Sequence, residues 1–282
     1  MNGSPSKPIL TEVSNATLDA RILDMVTESP DRLTPLELKR RVKQVYCFMG
    51  RGRIESSIKR LVEQKELVYT YQFGNSFLEA SFERPVRVAN SIVLKPPACD
   101  YQPLPGDIVV NIKAGAAFGT GCHPTTRLSL LALEKVCTDN LPRIKERGKR
   151  VLDIGTGSGV LAIAALKLGV EQGIGLDIDP CARAEASENA ELNSLSQRMK
   201  ISGHSIDSLQ GRFFLIAANL RFPTLKVYFK KMAELTEPGG FFVVSGIKSN
   251  EMKPMKDISA TFGLAVYWEG VERGWGGLAL RR

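Results

Sequence analysis

A chain of 282 residues, 43% of them hydrophobic, is long and apolar enough for one large or two medium globular domains, which argues against a disordered chain. Its net charge of +8 favours an anionic partner such as nucleic acid or a ribonucleoprotein and says nothing about the fold. The start of the chain has no apolar signal core and no stretch approaches the roughly twenty apolar residues of a membrane span, while five scattered cysteines and two histidines show no metal-site spacing, so a cytoplasmic protein with reduced thiols, no membrane partner and no metal is expected.

Residues 1–14 are rich in Ser, Pro, Gly and Asn and read as a disordered tail. Over 17–26, Leu18, Ile22, Leu23 and Val26 fall on one helical face. A second helix starts from a cap at Thr34 with Pro35 in its first position, and Ile54, Ile58, Leu61 and Val62 mark a third. Two β-rich stretches, 66–71 and 76–82, flank Gly74-Asn75 and read as a hairpin. Three short helices and a hairpin over 15–84 look like a winged-helix module of α+β type. The cations between residues 40 and 65 suit RNA or ribonucleoprotein contact, or equally a solvated helix face on a protein-gripping domain, since Glu55 and Glu63 interrupt them. Proline and glycine then punctuate 85–106, which reads as a linker into a second domain, 107–282.

That domain opens with a strand over 107–112 and a glycine loop, AFGTGCHPTTR over 117–127, before an apolar helix over 128–136. Thr125 or Thr126 is a candidate N-cap, and His123 has a possible structural role. Next, Val151-Leu152-Asp153-Ile154 reads as a buried strand that breaks into Gly155-Thr156-Gly157-Ser158-Gly159 before apolar residues resume at helical spacing through Leu168. Glycines at alternate positions let a ligand approach the main chain. A further strand over 173–176 delivers Asp177 to its carboxyl end, placed to accept hydrogen bonds from a ribose. A dinucleotide fingerprint would need glycine where Val160 stands. D-x-G-x-G-x-G with a downstream acid instead resembles the first two motifs of class I methyltransferases, which bind S-adenosylmethionine; Asp153 then fixes the turn or reaches the ligand.

Together with GLDIDP and Ala218-Asn219-Leu220, these motifs resemble the PrmA family, which methylates ribosomal protein L-eleven, over roughly 92–282. The resemblance implies a seven-stranded Rossmann-like class I methyltransferase sheet, an α/β fold. It implies that Phe118, Gly119, Thr120, Cys122, His123 and Thr126 cover and contact S-adenosylmethionine, that Gly155, Gly157 and Asp177 hold it, and that Asn219 is the residue beside the transferable methyl, both cofactor-binding and catalytic. Cys122 stands where threonine is common, so a side-chain hydroxyl contact is lost. The family's ferredoxin-type substrate domain is not found in this sequence.

The remaining elements suit that fold: a strand over 213–217 ending at Asn219, a helix over 225–235, a Pro238-Gly239-Gly240 turn into a strand over 241–245, a helix over 251–262 and a closing pair of strands. His204 reads as a satisfied loop histidine. The sequence lacks the Asn-Pro-Pro-aromatic run of enzymes that methylate adenine or glutamine amide nitrogen. The expected function is S-adenosylmethionine-dependent methylation of lysine or N-terminal amines of a protein, a ribosomal protein first. An RNA methyltransferase using the basic module, and a non-catalytic cofactor-sensing DNA-binding regulator, are the alternatives.

Overall fold

The computed structural model describes residues 13–29, 32–72, 74–113, 115, 123–146 and 148–282. They fall into two compact units divided between Ser81 and Phe82.

In the first unit, helix α1 (Asn15–Glu28) is capped by Ser14, whose hydroxyl accepts from the Thr17 amide at 3.0 Å. Helix α2 (Pro35–Val45) begins at the cap expected from sequence: the Thr34 hydroxyl accepts from the Glu37 amide at 3.2 Å, and the Glu37 carboxylate accepts from the Thr34 amide at 2.9 Å. Two orphan donors are thereby satisfied reciprocally. Helix α3 (Arg51–Glu63) leads into the antiparallel strands β1 (Leu67–Gln72) and β2 (Asn75–Ala80). Gln72 pairs with Asn75, so Gly74, at φ 77°, lies in the turn and Asn75 opens the second strand. Leu33 adds a single bridge to Leu78. The apolar stripes of the three helices meet in one core, where Leu18, Ile22, Leu38, Val42, Ile54 and Leu61 pack with Leu67 and Leu78. Apart from residues 13 and 14, the expected tail lies outside the described residues.

The second unit opens with β3 (Val86–Arg87), β4 (Ile92–Lys95) and β5 (Ile108–Asn111), a small sheet of that order with β4 and β5 parallel. The stretch expected as a linker, 85–106, therefore carries two strands. Its prolines crowd the connection after β4, whereas Ile92-Val93-Leu94, at most 1% exposed, is core. Helices α4 (Pro124–Asp139) and α5 (Leu141–Ile144) follow. The main sheet then builds from β6 (Arg150–Ile154), α6 (Val160–Lys167), β7 (Gln172–Leu176), α7 (Pro180–Leu192), β8 (Met199–Ser202), β9 (Phe213–Asn219), α8 (Phe222–Leu235), β10 (Thr236–Lys248), α9 (Met252–Thr261), β11 (Ala265–Glu272) and β12 (Trp275–Arg281).

The order of the seven strands is β11-β12-β10-β9-β6-β7-β8, with β6 to β10 parallel and β12 antiparallel to both its neighbours. Consecutive residues of each strand face opposite sides. Phe214, Phe241 and Val243 thus join one apolar cluster, and Phe213, Phe242 and Val244 the other. The expected Pro238-Gly239-Gly240 turn is an irregularity inside the long strand β10, between Thr236 and Phe241. β11 and β12 close on Arg273 and Gly274, both left-handed at φ 52° and 75°, the pairing that suits a tight twisted hairpin. Strand order reverses between β6 and β9, and in doubly wound sheets ligands bind outside the strand ends at that crevice.

Candidate donor site at the strand-order reversal

The turn after β6 is shaped by its glycines. Gly155, Gly157 and Gly159 have φ of 70°, 53° and 82°, a region that side chains other than glycine rarely enter. A Cβ on Gly155 would also lie 2.6 Å from the Leu220 side chain, so the turn passes directly against the residue that follows β9. The Gly155 and Thr156 amides both donate to the Leu176 carbonyl, at 2.8 and 2.9 Å, tying the turn to the end of β7.

Asp177 stands one residue beyond that end. One carboxylate oxygen accepts from the Gly157 amide at 2.9 Å and the other from the Asp179 amide at 3.0 Å. Among the described residues each oxygen has one protein donor, and an ionised carboxylate offers about four lone-pair sites in all, so capacity remains for a second pair of donors. Arg183 of α7 steadies the same corner by donating to the Asp177 and Ile178 carbonyls at 3.0 and 2.9 Å. Beside it the Ile178 side chain is 90% exposed. Its sequence signal is an apolar residue one step past a strand end in a polar turn.

Asp153 is wholly buried. Its Oδ2 accepts from the Thr156 hydroxyl at 2.8 Å and the Ala162 amide at 3.3 Å, which braces the turn from within, while Oδ1 has no partner among the described residues. Burial pushes its carboxyl up to about 6, against the lowering effect of the Thr156 and Ala162 hydrogen bonds.

Asn219 closes β9 opposite Ser245 of β10, and the Leu220 amide donates to the Ser245 carbonyl at 3.1 Å. No hydrogen bond holds the Asn219 side chain among the described residues. Ser245 also reaches the start of α4: its hydroxyl meets that of Ser129 at 2.6 Å and donates to the Thr125 carbonyl at 3.0 Å. The His123–Thr126 corner is thereby fixed to the strand that borders Asn219. Here the N-cap is His123, not either threonine; Pro124 occupies the first turn and His123 Nδ1 accepts from the Thr125 amide at 3.2 Å. The imidazole packs edge-on against Trp275 at 5.1 Å, and the Lys248 ammonium lies 3.6 Å over that same ring. Burial, then the positive charges of Lys248 and Arg273, bring His123 down to about 4. Thr126 is fully buried with a hydroxyl that lacks a partner among the described residues.

Gly155, Gly157, Asp177 and Asn219 thus converge at the ends of β6, β7 and β9, with His123 and Thr126 attached through β10. Phe118, Gly119, Thr120 and Cys122 lie outside the described residues. Among the described residues no His/Cys/Asp/Glu group could hold a metal, no helix is long and apolar enough to cross a membrane, and Cys47, Cys99, Cys137 and Cys181 are free.

A sequence profile described as Ribosomal protein L11 methyltransferase (PrmA) matches residues 78–282, a match that starts close to the boundary between the units. The ribosomal protein L11 methyltransferase of Citrifermentans bemidjiense is 41% identical over 168 residues, 58% of this chain and 53% of that protein. The protein of the same description in Geobacter sulfurreducens is 38% identical over 197 residues, 70% of this chain and 62% of its own length. The crystal structure of ribosomal protein L11 methylase from Lactobacillus delbrueckii subsp. bulgaricus shares 29% identity at a TM-score of 0.62, covering 71% of this chain and 98% of that one. The chain spans about half the length of several curated relatives it matches.

Proposed function

Because this chain belongs to the ribosomal protein L11 methyltransferase (PrmA) family, we propose that it transfers methyl groups from S-adenosylmethionine to lysine or N-terminal amines of a ribosomal protein in the cytoplasm, with L11 the first candidate. The observation that carries this reading is the convergence of the glycine turn, Asp177 and Asn219 at the strand-order reversal.

The residues fit the donor. Asp177 keeps lone pairs on both oxygens for the paired hydroxyls of a ribose, and Gly155 and Gly157, at positive φ, put no side chain of their own between the main chain and a ligand. Ile178 supplies exposed apolar surface for a flat base. The buried Thr126 hydroxyl, without a partner among the described residues, is the kind of group that costs about 1–3 kcal/mol until something satisfies it. Phe118, Gly119, Thr120, Cys122 and His123 enter the proposal as further donor contacts through the family resemblance.

S-adenosylmethionine supplies an already activated methyl group, so the protein's task is alignment and water exclusion. The Asn219 amide oxygen, without a hydrogen-bond partner among the described residues, can accept from an amine and hold its nitrogen toward the donor. The acceptor must be neutral: a lysine of ordinary pKa near 10.4 costs about 4 kcal/mol to deprotonate at pH 7.5, and desolvation in a closed pocket offsets part of that. Asp153, although raised toward neutrality, braces the turn and is not placed as a base.

A second reading, an RNA methyltransferase, draws on the first unit. There the cations of residues 40–65 are engaged in part: Arg60 pairs with Asp19 at 2.6 Å, Arg53 bonds Asn15, and Lys59 lies 3.6 Å from Glu63 in an exposed pair. Arg40, Lys43 and Arg51 form no ion pair among the described residues and line one depression. Tyr69 and Tyr71, 51% and 73% exposed on one face of β1, are the sort of surface on which bases stack. We read this winged-helix-like unit as the substrate-recognition element, with RNA contact through residues 40–65 as part of docking to a ribosomal particle.

The test is incubation with S-adenosylmethionine and ribosomal particles, followed by separate mass analysis of digested protein and RNA. Methylation of a lysine or N-terminal amine in one ribosomal protein is expected; methyl groups on nucleotides would support the second reading, and none on either would overturn both.

A further inference from the structure

Strand β5 is an edge of its three-stranded sheet, so the backbone groups of alternate residues beyond β4 need partners elsewhere. They find them on α7. The Asn193 side chain takes both main-chain groups of Asn111: its Oδ1 accepts from the Asn111 amide at 2.9 Å and its Nδ2 donates to the Asn111 carbonyl at 2.6 Å. One helical turn earlier, Asn189 Oδ1 accepts from the Lys113 amide at 2.8 Å. The fit is geometric, because four residues along a helix rise about 6 Å and two residues along a strand advance about 6.6 Å. The side chains of Asn189 in α7 and of its C-cap Asn193 thus stand in for a neighbouring strand.

Asn189 does one thing more. It is wholly buried, and its Nδ2 donates to the Ser158 carbonyl at 2.9 Å, inside the glycine turn. That carbonyl shares a peptide plane with the Gly159 amide, which donates to the Thr156 carbonyl at 2.8 Å, so holding one end of the plane holds the other. Only one orientation of the Asn189 amide serves a donor at Lys113 and an acceptor at Ser158 together. Aspartate has no proton for Ser158 and would be charged in a buried place; alanine serves neither side.

We infer that Asn189, seconded by Asn193, is a positioning residue that registers the chain leaving β5 at Lys113 against the glycine turn and so sets the shape of the donor site. The inference deepens the proposed function and rests on it for the identity of the ligand, but the coupling itself is a property of the unliganded protein.

The test compares wild type with Asn189→Ala and Asn189→Asp, with Met255→Ala as a control that loosens the distant α9 side of the core. Amide exchange is read at Lys113 and Gly159, and binding of S-adenosylhomocysteine by calorimetry. The expected result is exchange faster by about tenfold at both amides and affinity weaker by about tenfold, the loss of one or two hydrogen bonds, with neither change in the control. Should the Asn189 variants fail to fold, Lys113→Pro removes the same bond from an exposed position, and Gly159 exchange is read there. Unchanged exchange at Gly159 in a folded variant overturns the inference. A wild type that binds no S-adenosylhomocysteine counts against the proposed function alone, since the exchange result still decides the coupling.

Discussion

His123 is both helix cap and ring partner of Trp275, and the two roles give it a pH signature. Its Nδ1 accepts the Thr125 amide only while unprotonated, and the folded state holds it near 4, below the ordinary 6.5. The unfolded chain therefore takes up the proton first, and the stability that neutral His123 contributes is lost as pH falls from about 6.5 toward 4. Asp153 acts in the opposite direction: raised to about 6 from 3.8, it takes up its proton first in the folded state, so acidification through the same window favours the fold. In wild type the His123 and Asp153 contributions oppose each other between pH 7 and pH 5. His123→Asn keeps a capping side chain and removes one of the two opposing groups, so the variant should gain stability relative to wild type between pH 7 and pH 5. A difference between the two denaturation curves that stays constant with pH would contradict this. The residues legible in the sequence were those whose chemistry has few substitutes: glycines at positive φ and a carboxylate past a strand end. Ile178 and Asn189 escaped because an isoleucine in a turn reads as core and an asparagine in a helix reads as surface, until burial and partners are seen.

At the level of elements, local signals succeeded where a cap or a periodic stripe was present. Thr34 and Pro35 announced α2, and the structure adds Glu37, closing reciprocal bonds at 3.2 and 2.9 Å. Replacing Thr34 by alanine should cost about 1 kcal/mol locally, read as amide exchange about fivefold faster across α2 and unchanged in β6 and β9; unaltered exchange in α2 would show that the cap carries no stability. The strands of 85–106 were hidden because prolines there signal a break, while Ile92-Val93-Leu94 is too short to outvote them and is recognised only by what it packs against. β10 was read short for a related reason: Gly239 and Gly240 mark a turn locally, yet Thr236 already pairs with Phe213 before them. The N-cap of α4 was placed two or three residues late, because threonine caps more often than histidine and Pro124 at the first turn was given too little weight.

For the molecule as a whole, the seven-stranded sheet was reached through the resemblance carried by the strand, glycine turn and downstream acid, whereas the strand order, and with it the crevice between β6 and β9, comes from the structure. The family profile begins at residue 78, so the first unit's role is not carried by the family, and its charge did not resolve it either: of the cations between residues 40 and 65, Arg60 and Lys59 pair with Asp19 and Glu63, whereas Arg40, Lys43 and Arg51 form no ion pair among the described residues. The glycine turn and Asp177 together form the donor site proposed above. Calorimetric titration of S-adenosylmethionine into wild type and Asp177→Ala tests it most directly. Binding by wild type, weakened about a hundredfold in the variant by loss of two charge-assisted hydrogen bonds, is the predicted result. No heat of binding in wild type, or equal affinity in a folded Asp177→Ala protein, would contradict the claim.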